Sequence, residues 1–388
     1  MIILEMQKSV SIIVPIYRGQ KYIEGLVRQI EEGVMEIPGY YVELLFVNDD
    51  PDIRIDVEPE SDIMDIQVIN TERNRGVHGA RVRGLSYCKG EFVLFLDQDD
   101  TIHKSFLAKQ LALIGGADAI VCNVLHDGHM YYDVDCPLEH VFTKECMLFE
   151  QCMILSPGQV LIRKTSISDI WKENIMRVAG ADDWLLWICM LCEGKVFKAN
   201  NEVLFEHKLH YNNASTDSIK MAESENEVVG IVGRCGLLKG QELEKLANAA
   251  RNVQRKRLKD NEKCKRLFRV LSDWMTVREH GQSICDYLKA RKLYRIAIYG
   301  YGHLGRHLLA ELQNSGMEVS YIIDRNARYI NTDIMLKTPD DDMEKVDAFI
   351  IAVLKGENTI VVEQKILDKV ETKILWLTDM ISEMVSLM

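Results

Sequence analysis

Four short apolar runs, each ending on polar residues, decide most of what the first half of this chain can become. VSIIVPI (10–16), VELLFVN (42–48), IQVIN (66–70) and FVLFLD (92–97) are rich in branched and aromatic residues, and amphipathic stretches such as Tyr22–Glu32 and Val77–Cys88 lie between them. Apolar runs of this length, bounded by turn-forming residues, read as buried strands. Their alternation with helix-like segments predicts a βαβα order and a mostly parallel sheet. Ligands of such sheets gather outside the carboxyl ends of the strands, so the polar residues that follow each run are the first candidates for chemistry.

The chain has 388 residues, more than one hydrophobic core usually organises. After the α/β pattern of residues 1–215 comes a helical stretch, 216–292, rich in Glu, Lys and Arg. A second, smaller α/β unit, 293–388, follows with the runs RIAIYG, VSYIID, DAFIIAV and KILWL. Within the helical stretch, RNVQRKRLKDNEKCKRLFR (251–269) holds nine Lys or Arg against two acids. This is either a solvated helix face or a surface for peripheral contact with an anionic membrane. The net charge of −12 and pI near 5.4 argue against a nucleic-acid partner. The N-terminal run is interrupted by Glu5, Gln7 and Lys8 and lacks a cleavage site, and ten cysteines stand without framework spacing. The expectation is a cytoplasmic chain with reduced thiols. Cys189 and Cys192 form a CxxC, but within the apolar helical run WLLWICMLCEG, where core thiols are expected.

The residues best placed to do chemistry are acids. FLDQDD (95–100) ends a buried strand in Asp97, Asp99 and Asp100, and carboxylates gathered where a sheet opens suit Mg²⁺ or Mn²⁺, which would neutralise a diphosphate. A helix-capping turn would use the same residues. VNDD ends another strand in Asp49 and Asp50, and an Asp there can accept from a base N–H or a ribose hydroxyl. In AGADDWLLW (179–187), Asp182 and Asp183 open an apolar helix, where a carboxylate serves either as a cap or as a general base.

In this order the motifs resemble glycosyltransferase family 2, the inverting enzymes of the GT-A fold. The matching residues are Pro15 and Tyr17; Asp49 and Asp50; Asn74, Gly76, Ala80, Arg81 and Gly84 of NRGVHGARVRGL; GEFVLFLDQDD; the ADDW segment; and His210 and Ser215 of HYNNAS. The resemblance implies an α/β enzyme with a GT-A-like domain. It places Pro15, Tyr17, Asp49, Asp50, Asn74, Arg81 and Asp97 on the nucleotide sugar. Asp99, Asp100 and His210 then hold Mn²⁺ or Mg²⁺, and Asp183, or its neighbour Asp182, deprotonates the acceptor. Arg18, Val82, Ala181 and the sequence DDPDIR depart from the family's usual residues, while the acids remain. The implied reaction moves a hexose from a nucleotide-diphosphate donor, a UDP-sugar, to a saccharide or lipid-linked hydroxyl in surface polysaccharide or glycolipid synthesis.

A second motif stands apart from these. IAIYGYGHLGRHLLAEL (296–312) places Gly300, Gly302 and Gly305 between an apolar run and a helix, with Asp324 ending the next run. This resembles a Rossmann-like nucleotide site, in which the glycines approach phosphate and the acid meets a ribose. A glycine turn that only stabilises the fold fits equally well. Two other functions stay open: an NAD(P)-dependent sugar-nucleotide oxidoreductase working through this unit, and a non-catalytic nucleotide-sugar-binding scaffold. The chain's only YxxxK, Tyr17 to Lys21, lies in the other α/β unit, which leaves hydride chemistry without its expected residues. The sequence also leaves a homo-oligomer open.

Overall fold

Residues Val10–Val14 are buried without interruption, and a strand covered on both faces belongs in the middle of a sheet. In the computed structural model, strand β1 (Ser9–Ile16) runs parallel to β2 (Tyr41–Asn48) on one side and to β4 (Phe92–Phe95) on the other. Strand β3 (Asp65–Asn70) extends the parallel set beyond β2. The structure describes residues 8–55, 59–126, 129–133, 136–207, 217–327, 332–355 and 359–388. They divide into two compact units, 1–257 and 258–388.

In the first unit, the remaining strands are β5 (Thr101–Ile102), β6 (Ala119–His126), β7 (His129–Met130), β8 (Val160–Arg163) and β9 (Phe197–His207). Among the described residues, the sheet runs β3-β2-β1-β4-β8-β6-β9-β5, with β7 paired to β6. Strand β8 is antiparallel to both β4 and β6, whereas β9 returns parallel to β6. Helices α1 (Ile23–Val34), α2 (Gly76–Leu85) and α3 (Phe106–Ile114) connect the strands. Helix α2 lies so close to β1 that a Cβ on Gly84 would stand 2.5 Å from a methyl of Ile13. That contact explains a glycine inside a helix, where it otherwise destabilises. Short helices α4 (Leu138–Val141) and α5 (Asp169–Glu173) and a π-helical turn, Glu145–Glu150, precede α6 (Asp182–Cys192). Helix α7 (Ser218–Arg234) packs on α6.

Helix α8 (Gly240–Glu279) runs on from the first unit into the second, where α9 (Ile284–Ala290) follows. Strands β10 (Arg295–Tyr299), β11 (Glu318–Ile323), β12 (Leu336–Lys337), β13 (Ala348–Ile351) and β14 (Lys373–Trp376) pair in parallel in the order β12-β11-β10-β13-β14. Helix α10 (His303–Asn314) leaves the glycine turn after β10, and α11 (Thr359–Leu367) and α12 (Leu377–Ser386) complete the unit. The two-residue β12 is absent from the sequence reading, because two residues carry no periodicity. No helix among the described residues is long and apolar enough to cross a membrane.

Candidate active site

Predicted acids follow the carboxyl ends of β2 and β4, while Pro15 and Tyr17 stand at the end of β1. Pro15 stands past the last β4 partner of β1, Ile13, where its missing N–H costs that pairing nothing. Tyr17 and Arg18 follow on the surface, and the Arg18 guanidinium lies 5.2 Å from the Tyr17 ring centre. Arg18 holds a left-handed backbone, φ 53°, and its Nε is 3.7 Å from the buried Asp50 carboxylate. The same Asp50 Oδ2 has no hydrogen-bond donor within the protein. A buried acceptor without a donor is costly, which suits a position where a ligand N–H arrives.

Asp49, one residue earlier, is already occupied. The Arg75 amide donates to both its oxygens at 2.9 and 3.0 Å and the Thr71 hydroxyl donates at 3.2 Å, so it ties the end of β2 to the start of α2. Burial nevertheless holds its carboxyl above the usual range. Asn74 is exposed and accepts from the Gly76 amide, shaping the turn into the helix.

One turn into α2, Arg81 is 4% exposed and bridges two acids. Its Nη1 donates to Asp182 at 2.6 Å and its Nη2 to Asp97 at 2.5 Å. Asp182 opens α6, and the Trp171 indole, tilted 33° against the His78 ring, donates to its carbonyl at 2.8 Å. The loop before it is held by α7: Ser224 accepts from the Ala181 amide, and Glu227 accepts from the amides of Arg177 and Val178. Asp183 follows in the first turn of α6. Burial and the adjacent Asp182 charge push its carboxyl up to about 7, against the pull of Arg81.

Asp97 faces a second group as well as this one. Its charge also reaches Asp100, which is buried and accepts from Ser156 at 2.7 Å. His207 at the end of β9 lies with Nδ1 3.3 Å from the other Asp100 oxygen. Burial raises Asp100 to about 6, and the contact with Asp100 raises His207. Asp97 and Asp99 reach His207 electrostatically too. Asp100 and His207 are thus in contact at the ends of β4 and β9, within the field of the Asp97 and Asp99 charges. Hard oxygen donors with one histidine form a set that Mn²⁺ or Mg²⁺ accepts.

His210 and Ser215 lie outside the described residues. His207 and Ser156 are absent from the sequence reading. His207 is three positions before His210, and only the return of β9 beside β6, with β5 on its other edge, brings it to Asp100. Ser156 announces itself faintly through SPGQ, a capping box in which it also accepts from the Gly158 amide.

In the second unit, Gly300 has φ 96°, and a Cβ on Gly305 would meet the Gly300 carbonyl at 1.9 Å. Both glycines are therefore needed for the turn itself. A Cβ on Gly302 meets nothing within 4 Å. Asp324 ends β11 and accepts from the Tyr301 amide at 2.7 Å, which closes the loop from within.

The first unit is thus a mixed α/β sheet with carboxylates after β2 and β4 and two more at the start of α6. Residues 11–171 match the family model for glycosyl transferase family 2, and the chain is a glycosyltransferase. It is similar to the teichuronic acid biosynthesis glycosyltransferase TuaG of Bacillus subtilis (strain 168), 28% identical over 222 residues, which are 55% of this chain and 84% of that protein. It is also similar to the poly(ribitol-phosphate) beta-N-acetylglucosaminyltransferase TarS of Staphylococcus aureus (strain Mu50 / ATCC 700699), 35% identical over 108 residues. That match covers 27% of this chain and 18% of TarS. The crystal structure of S. aureus TarS 1–349 in complex with UDP-GlcNAc is similar at 18% identity with a TM-score of 0.45, covering 62% of this chain and 71% of that one.

Proposed function

We propose that this chain transfers a hexose from a UDP-sugar, with inversion, to a hydroxyl of a saccharide or lipid-linked acceptor in surface polysaccharide synthesis. The observation that carries the reading is Arg81, which joins Asp97 to Asp182 and so sets Asp183 beside the carboxylate group of the β4 end. Asp50 offers its undonated oxygen to the base, beside the exposed Tyr17 ring. Asp99, Asp100 and His207 would hold a divalent ion, with His210 a further candidate outside the described residues. Such an ion neutralises the diphosphate and favours its departure. Asp183 accepts the acceptor's proton as that oxygen attacks the anomeric carbon. With Asp182 committed to Arg81, Asp183 is the better base. The names of TuaG and TarS, both enzymes of wall-type polymers, support an acceptor of that class.

The C-terminal unit is read as Rossmann-like, with Gly302 open to a nucleotide phosphate and residues 216–292 as the helical connector. The exposed cations of 251–269 offer a peripheral contact to an anionic membrane on the cytoplasmic side. The test of the principal reading is turnover of a panel of nucleotide sugars with wall-type acceptors, with Mn²⁺ and with EDTA. Donor-dependent transfer that EDTA abolishes is expected. Donor binding without turnover across the whole panel would favour a scaffold instead.

A further inference from the structure

The segment between β7 and β8 brings together side chains that the proposed transfer does not use. His140 from α4 and Cys146 and Glu150 from the π-helical turn place a ring nitrogen, a sulfur and a carboxylate oxygen within 4.8 Å of one another. We infer that His140, Cys146 and Glu150 bind a zinc-type divalent ion at a site built from other residues than the Asp99, Asp100 and His207 group.

The donor set decides the class of ion. Mg²⁺ and Ca²⁺ take oxygen ligands, whereas a thiolate with an imidazole and a carboxylate suits Zn²⁺ or its spectroscopic stand-in Co²⁺. Ligands at about 2.0–2.3 Å from a tetrahedral ion stand about 3.3–3.8 Å from each other. His140 Nε2 and Glu150 Oε2 are 3.4 Å apart, already at that spacing. Cys146 and Glu150 are four residues apart in one wide turn, which directs both toward the same side. His140 and Glu150 have exposed side chains, while the Cys146 sulfur lies inside, so the ion enters from solvent and closes onto the thiol.

On binding, the Cys146 sulfur releases its proton to solvent and bonds the metal. Water would fill the fourth position. The turn has a structural consequence as well. Its Met147 carbonyl accepts from the Trp184 indole at 2.8 Å, and Trp184 directly follows Asp183, so an ion here would brace the turn on which the start of α6 rests.

The test is Co²⁺ titration of the full chain, read by the near-ultraviolet thiolate-to-cobalt charge-transfer band, with competition by Zn²⁺. The expected result is a band that Zn²⁺ displaces, that Cys146→Ser removes and that the exposed substitution His140→Ala weakens at least tenfold in Co²⁺ affinity. Asp99→Ala should leave it intact, since that residue supplies no sulfur. A wild-type chain without the band, or a band unchanged in both folded variants, overturns the site.

Discussion

Arg81 and Asp182 meet across 101 positions of sequence, with a guanidinium nitrogen 2.6 Å from a carboxylate oxygen in a setting where both side chains are only 4% exposed. The same guanidinium holds Asp97, so one buried cation fixes the end of β4 against the start of α6.

Removing that cation should be severe. Arg81→Leu leaves Asp97 and Asp182 facing each other without a counter-charge, and breaking a buried pair from one side costs about 3–5 kcal/mol. Arg81→Lys should also lose stability, because an ammonium cannot reach both carboxylates with a planar fork. Denaturant unfolding of the first unit's transition provides the measure. Parental stability in Arg81→Leu would mean that the bridge does not form.

The proposed divalent site can be tested at two histidines, His207 and His210. His207→Ala should weaken Mn²⁺-dependent UDP binding by about tenfold or more. Asp99→Ala should weaken binding as well. Isothermal titration with and without EDTA reads both effects. UDP binding that ignores EDTA would remove metal from the reading, and loss confined to His210→Ala would move the ligand three residues along.

Much of this arrangement is legible in the sequence, and the remainder has a physical reason for being hidden. Strands β1, β2 and β4 show themselves because parallel strands buried on both faces are written as uninterrupted apolar runs, while edge strand β3 is betrayed by its branched residues. The acids show themselves because each stands where such a run stops. Asp49 and Asp50 look equivalent in VNDD, yet backbone amides fill one and leave an oxygen of the other undonated, a distinction that depends on where Arg75 folds. Strand β8 is four residues long and antiparallel, and His207 acquires its partner only through β9, whose pairing is set by tertiary contacts rather than local pattern. The pairing of Arg81 with Asp182 is likewise non-local.

In the C-terminal unit, two glycines make opposite predictions. Gly305→Ala places a methyl against the Gly300 carbonyl and should destabilise that unit by more than about 1 kcal/mol. Gly302→Val has open space and should fold normally while blocking phosphate approach. Nucleotide binding followed by fluorescence, beside sugar transfer, checks this: transfer should persist in Gly302→Val. Abolished transfer by the folded variant would show that the two units act together.

The last prediction concerns Asp183, for which a position and a protonation state can be tested together. A sugar hydroxyl attacks poorly until its proton is accepted, and a positioned carboxylate contributes about 10²- to 10⁴-fold. Asp183→Asn should therefore fold, bind donor nearly as the parent does and lose transfer by about that factor. Asp182→Asn should instead act through stability, because it unmakes half of the Arg81 bridge. The pH dependence follows from the same residue. With its carboxyl held at about 7, the base is ionised only above that value, so transfer should rise with pH through about 7 and then level. The stability sign is opposite: the folded state binds the proton more tightly than the unfolded chain, so this group's contribution to stability falls as pH rises from about 4 to about 7. Pre-steady-state transfer across this range, with thermal unfolding at each pH, reads both trends. A flat rate profile in the parent, or parental transfer by a folded Asp183→Asn, would remove Asp183 as the base, and a selective loss of transfer in a stable Asp182→Asn would pass the role to its neighbour.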